Sequence, residues 1–284
     1  MPEGDTVWQT ARRLHAALAG REITRWELRV PRFATSDARG QRVDEVVSAG
    51  KHLLLRTPSL SLHTHLGMDG EWSVMPAGAR WRGPAHTVRA VVGVEGTDAV
   101  GFQLPVVELL ARSAESAAVG HLGPDLLDPG WSAEHADRAV ANLARSPERE
   151  LAAALLDQRN LAGLGNEYVN ELLFLRGLPP SATVAEAAAR AGGLERVVDL
   201  GRRLIAANRD RVPRTTTGDT RRGRNLHVYG REGQPCRRCG ARIERTRHGG
   251  RRLDAALGDT GYVGASGEPV ETRVSFFCPM CQRP

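Results

Sequence analysis

Val7, Ala11, Leu14 and Leu18 recur at helical spacing within DTVWQTARRLHAALA, and predict one amphipathic helix over residues 5–19. Asp5 or Thr6 can cap its start, and Gly20 lies just past its end. From residue 22 to about 110 the pattern changes to short strand-like runs: ITRWELRV, HLLLRT, LSLHTHL, EWSVM, TVRAVVGV and AVGFQL. Gly, Pro, Asp and Ser punctuate them, as in an antiparallel sandwich or barrel. HLGPDLLDPGW (121–131) holds successive turn-forming breaks and reads as an interdomain linker. Helical patterns then return. Ser132 can cap a helix running to 144, and Ser146-Pro147 opens another with PERELAAALLDQ. The Gly-rich LAGLGN (161–166) turns into NEYVNELLFLR, which Gly177, Pro179 and Pro180 end. Two more helices are predicted near 183–191 and 194–209, and the remainder is rich in Gly and Arg with short strand signals around two cysteine pairs.

Composition narrows this picture. An apolar content of 41% over 284 residues excludes a disordered chain. There is no run of about 18 apolar residues, so no membrane-spanning helix is predicted. The first turns carry Glu3, Asp5, Arg12 and Arg13 and no apolar block, so no secretory signal is expected. All four cysteines follow residue 235, which suits a metal site in a reducing compartment better than a disulfide scaffold, and implies a cytoplasmic, nucleoid-associated protein.

Charge is unevenly distributed. The formal net charge is +6, yet Arg202 to Arg252 contains 16 Arg against Asp210, Asp219, Glu232 and Glu244, a local net of +12. The rest of the chain therefore sums to −6. A block of this kind is the electrostatic footprint of a nucleic-acid binder, because each neutralised phosphate releases a counterion. Of the 39 basic residues only Lys51 is a lysine. An ammonium is a compact point charge and a guanidinium a planar fork, so the one surviving lysine marks a position where Arg does not substitute.

Cys236, Cys239, Cys278 and Cys281 form Cys-x2-Cys…Cys-x2-Cys. Each pair can chelate one face of a tetrahedral Zn²⁺, and four sulfur ligands leave no open position, so the zinc is structural, one per chain. The stretch 248–270, rich in Gly, Asp and Ala, is expected to loop out between the pairs. At the other end the chain opens Met-Pro-Glu-Gly. Pro2 permits removal of the initiator Met, which exposes a secondary amine able to attack a carbonyl-like carbon and form a Schiff base. Glu3 beside it is a carboxylate placed to move protons.

MPEG, GKHLLL (50–55), HTHLGMDGEW (63–72), LLDQRNLAGLGNEYVNELLF (155–174), VYGREGQPCRRCG (228–240) and FFCPMCQ (276–282) occur in that order. Together they resemble the formamidopyrimidine-DNA glycosylase / endonuclease VIII family of base-excision repair enzymes, over residues 1–282. The endonuclease VIII branch is the closer match, from MPEG and from GFQLPV (101–106), where an Arg-Arg-Phe-Gly loop might fall.

The resemblance implies an α+β multidomain chain: an N-terminal β-sandwich with its catalytic helix over 1–120, a linker over 121–131, a helix–two-turns–helix domain over 132–226 and a β-hairpin zinc finger over 227–284. It implies a monomeric bifunctional DNA glycosylase and abasic-site lyase acting on damaged double-stranded DNA, with oxidised pyrimidines as the expected lesions and β/δ-elimination after the Schiff base. Oxidised purines, as in the sister branch, and a silent DNA-binding paralogue are the alternatives. Pro2 is then the nucleophile, Glu3 the acid–base group, and Lys51 a group near the phosphate and reacting centre. Met68 corresponds to a wedge that fills the gap left by a flipped base. Asn166, at the start of a helix, and Arg273, five residues before Cys278, correspond to DNA-backbone contacts. The chain also departs from the pattern. Asp5-Thr6 stands where Pro-Glu often follows MPEG, so a second acid near the nucleophile is expected to be missing, and GFQLPV offers no Arg for the orphaned base.

Overall fold

Helix α1 (Gly4–Leu18) buries Val7, Ala11, Leu14 and Leu18, the positions whose spacing predicts it. In the computed structural model, which describes residues 2–247 and 274–283, the chain divides into two units, Met1–His121 and Leu122–Pro284. After α1 the first unit runs through β1 (Ile23–Leu28), β2 (Glu45–Ala49), β3 (His52–Arg56), β4 (Leu60–His65), β5 (Glu71–Pro76), β6 (Val88–Val94), β7 (Thr97–Phe102) and β8 (Val106–Ala111), then the single-turn α2 (Ser116–Val119). The strands form two antiparallel sheets, ordered β1-β6-β7-β5 and β2-β3-β4-β8.

Strand alternation decides what each face carries. Leu53, Leu55 and Leu62 point into one core with Trp26, Ala90 and Val92 of the other sheet and Leu14 and Leu18 of α1. His52 and His63 are therefore on the opposite face, where the register sets His52 against His65 and His63 against Glu108. Strands β2 and β8 lie outside the predicted runs. EVVSA and VVELLA are short and mixed, and only pairing with β3 and β4 makes them strands.

In the second unit, α3 (Ala133–Ala144) is capped as expected by Ser132, whose hydroxyl lies 2.9 Å from His135 Nδ1. Residues 122–131 are not a free linker. Leu126 is buried, and its N–H donates to the Ala162 carbonyl at 3.1 Å. Helix α4 (Leu151–Leu156) starts later than the Pro147 opening expected from the sequence. The reason is tertiary: Glu150 bridges Thr183, and Val184 N–H donates to the Arg149 carbonyl at 2.9 Å, so these residues are extended. Helices α5 (Asn166–Arg176), α6 (Val184–Ala189) and α7 (Gly193–Asn208) follow, α5 ending at Gly177 with φ +67°. Strands β9 (Glu244–Arg247) and β10 (Val274–Phe277) pair antiparallel and carry the cysteine pairs at their flanks. The expected loop at 248–270 and Arg273 lie outside the described residues.

Candidate active site and nucleic-acid interface

The start of α1 gathers acidic groups where the helix dipole favours them. Glu3 is the N-cap residue, extended at φ −124° and ψ −176°, and is 0% exposed. Asp5 is 1% exposed and accepts from the Thr6 N–H at 2.8 Å. Asp5 therefore adds a buried carboxylate to the first turn of α1, beside Glu3 in sequence.

Lys51 sits in the two-residue Gly50–Lys51 turn joining β2 and β3, with positive φ (57°) only at the glycine, as a type II′ hairpin prefers. Two hydrogen bonds fix how α1 runs along β2: Gly20 N–H to the Val43 carbonyl at 2.7 Å, and Val46 N–H to His15 Nδ1 at 3.1 Å. The two elements are therefore antiparallel. From His15 back to Glu3 a helix rises about 18 Å. From Val46 on to Lys51 a strand advances roughly 16 Å. The nucleophile end of α1 and the Lys51 turn thus arrive at the same level, although 48 residues separate Glu3 from Lys51.

Met68 lies at the tip of the β4–β5 turn and is 47% exposed, so it is no part of the core. Glycines build this turn. At Gly67, with φ +59°, a Cβ would come 2.7 Å from Pro105 Cγ, and at Gly70 one would come 2.3 Å from the Leu66 carbonyl oxygen. The GFQLPV segment thus abuts the Met68 turn, and it carries Gln103 at φ 50°. On the outer sheet face, sequence reasoning missed His52, His63 and Glu108. His63 Nδ1 lies 2.9 Å from Glu108 Oε2, and His63 Nε2 lies 2.7 Å from His52 Nδ1. The available signal was the alternate spacing of His63 and His65 on one strand face.

In the second unit the sulfurs of Cys236, Cys239, Cys278 and Cys281 all lie within 4.8 Å of one another. Cys239–Cys278 and Cys236–Cys281 are 3.4 and 3.9 Å apart. Thiolates about 2.3 Å from a tetrahedral ion would be roughly 3.8 Å apart, so the four fit such a metal. A backbone hydrogen bond from Ala241 holds Cys239 down to about 7, whereas burial, helped by neighbouring sulfurs, pushes Cys281 up to about 12. Four thiols packed this closely cannot all ionise without a cation among them. Gln282 secures the knuckle, accepting from Cys278 N–H at 2.9 Å and donating to the Leu178 carbonyl at 2.8 Å.

Asn166 is the first residue of α5, and its side chain is engaged within the protein. Its amide donates to the Val274 carbonyl at 2.9 Å and accepts from Asn170 Nδ2 at 3.2 Å, which ties α5 to β10. Glu171, a further residue the sequence did not flag, is 0% exposed. It accepts from the backbone N–H groups of His227, Val228 and Tyr229 at 2.7, 2.8 and 2.9 Å, and from the Thr216 hydroxyl. The basic block divides in the same way. Arg214 pairs with Glu167 at 3.2 Å and lies over the Tyr168 ring, and Arg231 donates to the Pro235 carbonyl at 2.8 Å. Arg222 and Arg224 instead stand exposed on the loop that Glu171 holds. Among the described residues no helix is long and apolar enough to cross a membrane.

Residues 1–121 match the formamidopyrimidine-DNA glycosylase N-terminal domain, and residues 122–192 match the formamidopyrimidine-DNA glycosylase H2TH domain. A probable endonuclease 8 2 of Streptomyces coelicolor is 48% identical, over 99% of this chain and 94% of its own length. The DNA-(apurinic or apyrimidinic site) lyase Nei2 of Mycolicibacterium smegmatis is 45% identical over 99% of both chains. The fold is also that of Lactococcus lactis Fpg solved in complex with abasic-site DNA, with a TM-score of 0.77, 20% identity and full coverage of both chains.

Proposed function

Because the chain belongs to the formamidopyrimidine-DNA glycosylase / endonuclease VIII family, we propose that it is a bifunctional DNA glycosylase and abasic-site lyase of the endonuclease VIII type. Oxidised pyrimidines in duplex DNA are its substrates. The observation that carries this reading is the antiparallel run of α1 along β2, which brings the α1 N-terminus level with the Lys51 turn and supports a single reacting centre built from Pro2, Glu3 and Lys51.

With Met1 removed, the Pro2 amine attacks C1′ of the damaged nucleotide and the base leaves with the electrons of the glycosidic bond; the amine then gives up its proton, the C1′–O4′ bond opens as O4′ takes up a proton, and the C1′ iminium forms. Glu3, buried at the helix start, handles protons at the sugar. The Lys51 ammonium lies near the adjacent phosphate. Elimination then removes a C2′ proton, forms the C2′–C3′ double bond and expels the 3′ phosphate. Met68, exposed on a glycine-built turn, fills the space of the extruded base, which costs a few kcal/mol to unstack. Zinc is the metal that suits four thiolates, and it would be held by Cys236, Cys239, Cys278 and Cys281, where it supplies rigidity to the finger and no chemistry. Asn166 joins the finger to α5 and the N–H groups of that helix start, which favour a phosphate. Arg273 is assigned to grip the DNA backbone. The protein acts in the cytoplasm on the nucleoid.

Borohydride trapping on an abasic-site duplex tests the reading. The Met-free protein is expected to form a covalent adduct that Pro2→Gly abolishes and Glu3→Gln slows. No adduct from the Met-free wild type would refute the lyase reading. Faster release of thymine glycol than of 8-oxoguanine is expected, and activity on purines alone would overturn the choice of substrate.

A further inference from the structure

Strand register brings one end of both sheets of the first unit together. In the β2-β3-β4-β8 sheet, His52, His65 and Val106 form a row across β3, β4 and β8. Lys51 comes just before that row, the Met68 turn leaves it, and Pro105 enters it. In the other sheet the row at the corresponding strand ends is Glu71, Phe102 and Val88, across β5, β7 and β6. The Met68 turn crosses between the two layers, since it runs from β4 into β5, and residues 103–105 cross again from β7 to β8. Pro105 packs on Gly67 of the Met68 turn, and the Gln103 N–H donates to the Thr87 carbonyl at 2.8 Å. Thr87 ends the segment 79–87, which leads into β6 and carries Arg80 and Arg82.

Trp81 fixes this segment. It packs on the cluster of Met75, Val91 and Phe102, and Arg29 lies over its ring at 4.6 Å. Gly83 lets the chain pass close to Phe102, where an added Cβ would come 3.1 Å from the ring. The neighbouring acids are already engaged, Glu27 by Arg25 and Arg29 and Asp98 by Arg25. Arg89 donates to the His86 carbonyl at 2.8 Å. Arg80 and Arg82, on either side of Trp81, are exposed and have no acidic partner among the described residues.

We propose that Arg80 and Arg82 grip backbone phosphates of the DNA strand opposite the lesion, so that the first unit holds both strands of the duplex. The proposal rests on the reading of the Lys51 centre and of Met68 given above.

Charge follows an order along this end of the unit. Lys51 lies one strand spacing, about 5 Å, from β4 in one layer. Met68 stands where the chain crosses layers, flanked by exposed Asp69 and Glu71. Arg80 and Arg82 precede β6 in the other layer, two spacings or about 10 Å from β5. A duplex presents phosphates, then stacked bases, then phosphates, and the order of cation, acid-flanked apolar tip and cations matches it. Asp69 and Glu71 repel phosphate and so leave Met68 to the bases. The same two acids count against an acidic peptide lying along this surface. With the damaged nucleotide held on the Lys51 side, the strand past the wedge is the complementary one. A guanidinium pairs with phosphate through parallel N–H groups. Such contacts hold affinity and orientation and carry no base sequence.

Fluorescence anisotropy with the full-length, zinc-loaded protein tests this, on a duplex carrying a tetrahydrofuran abasic-site analogue, between 50 and 200 mM salt. Each phosphate contact adds about 0.9 to the slope of log affinity against log salt. The Arg80→Ala, Arg82→Ala double variant is expected to lose about 1.8 of that slope on the duplex. On the lesion strand alone its slope is expected to equal that of wild type. Equal slopes on the duplex overturn the proposal, and so does an equal loss on the single strand, which would assign the two arginines to the damaged strand. A second measurement needs no variant. Neutral methylphosphonates placed one at a time along the complementary strand are expected to weaken wild-type binding several-fold at one or two positions, and no effect at any position sinks the proposal. A wild type that neither binds the duplex nor forms a borohydride adduct overturns the reaction and the grip together. A wild type that binds and traps, with unchanged slopes, overturns the grip alone.

Discussion

Replacing Glu171 by Gln should release the loop that presents Arg222 and Arg224, and the size of the effect follows from four hydrogen bonds. Oε1 accepts from the Val228 and Tyr229 N–H groups at 2.8 and 2.9 Å, and Oε2 accepts from the His227 N–H at 2.7 Å and from the Thr216 hydroxyl. The residue is 0% exposed, so no water can replace a lost partner. An amide keeps one accepting oxygen and turns the other position into a donor. Two bonds survive in neutral form, and on the other side the His227 N–H faces an N–H. Hydrogen bonds to a charged group contribute about 1.5–3 kcal/mol each, and the Thr216 hydroxyl can turn to accept from the new N–H, so losing the His227 bond costs roughly 1.5–3 kcal/mol of local stability. Hydrogen exchange of the 227–229 amides reads this directly. At about 1.4 kcal/mol per decade, protection there should fall at least about tenfold, while amides of the first unit hold theirs. Protection within threefold of wild type would refute the view that this carboxylate pins the loop.

Met68→Ala should leave the melting temperature within a degree or two, because the side chain is exposed. Excision of a damaged base should nonetheless fall about tenfold, with cleavage of a preformed abasic site much less affected; a stability loss without a change in excision would assign Met68 to packing. Stripping the metal, or Cys236→Ser, should remove roughly one equivalent of zinc per chain and weaken duplex binding, as read by metal analysis and fluorescence anisotropy. Burial pushes the Asp157 carboxyl up, but hydrogen bonds from Arg159 and Arg149 more than reverse this and bring it to about 2. A carboxylate held below its unfolded value stabilises the fold above about pH 4 and loses that contribution as pH falls towards 2. Asp157→Asn should therefore flatten the acid side of the stability curve in that window, and an unchanged slope would count against the ion pair.

Periodicity alone determined much of this protein. The 3.6-residue spacing of Val7, Ala11, Leu14 and Leu18 defines α1, and the short apolar run HLLLR and the more alternating LSLHTH define β3 and β4, because those patterns are what a core must bury. The cysteine spacing was equally legible, since chelation is local within each pair and the four sulfurs do converge. Local pattern was weaker where neighbours supply the structure: β2 and β8 exist through cross-strand pairing, and residues 149–150 stay extended because they bond to 182–184. The site followed the same division. Pro2, Glu3 and Lys51, the residues of the proposed centre, stand in two separate motifs of the sequence, and only the antiparallel run of α1 along β2 brings their segments level. That Asp5 is buried at the start of α1 is likewise set by the packing and not by its place in the sequence. His52, His63 and Glu108 carry no common motif, because a sheet joins residues by register and not by separation along the chain. Glu171 and the basic block make the same point for charge. The segment from Arg202 to Arg252 holds sixteen arginines, and the fold decides which of them, like Arg214 and Arg231, hold the protein together and which, like Arg222 and Arg224, face outward. Composition sets how much charge a chain carries, and burial beside a fixed partner sets what that charge can reach.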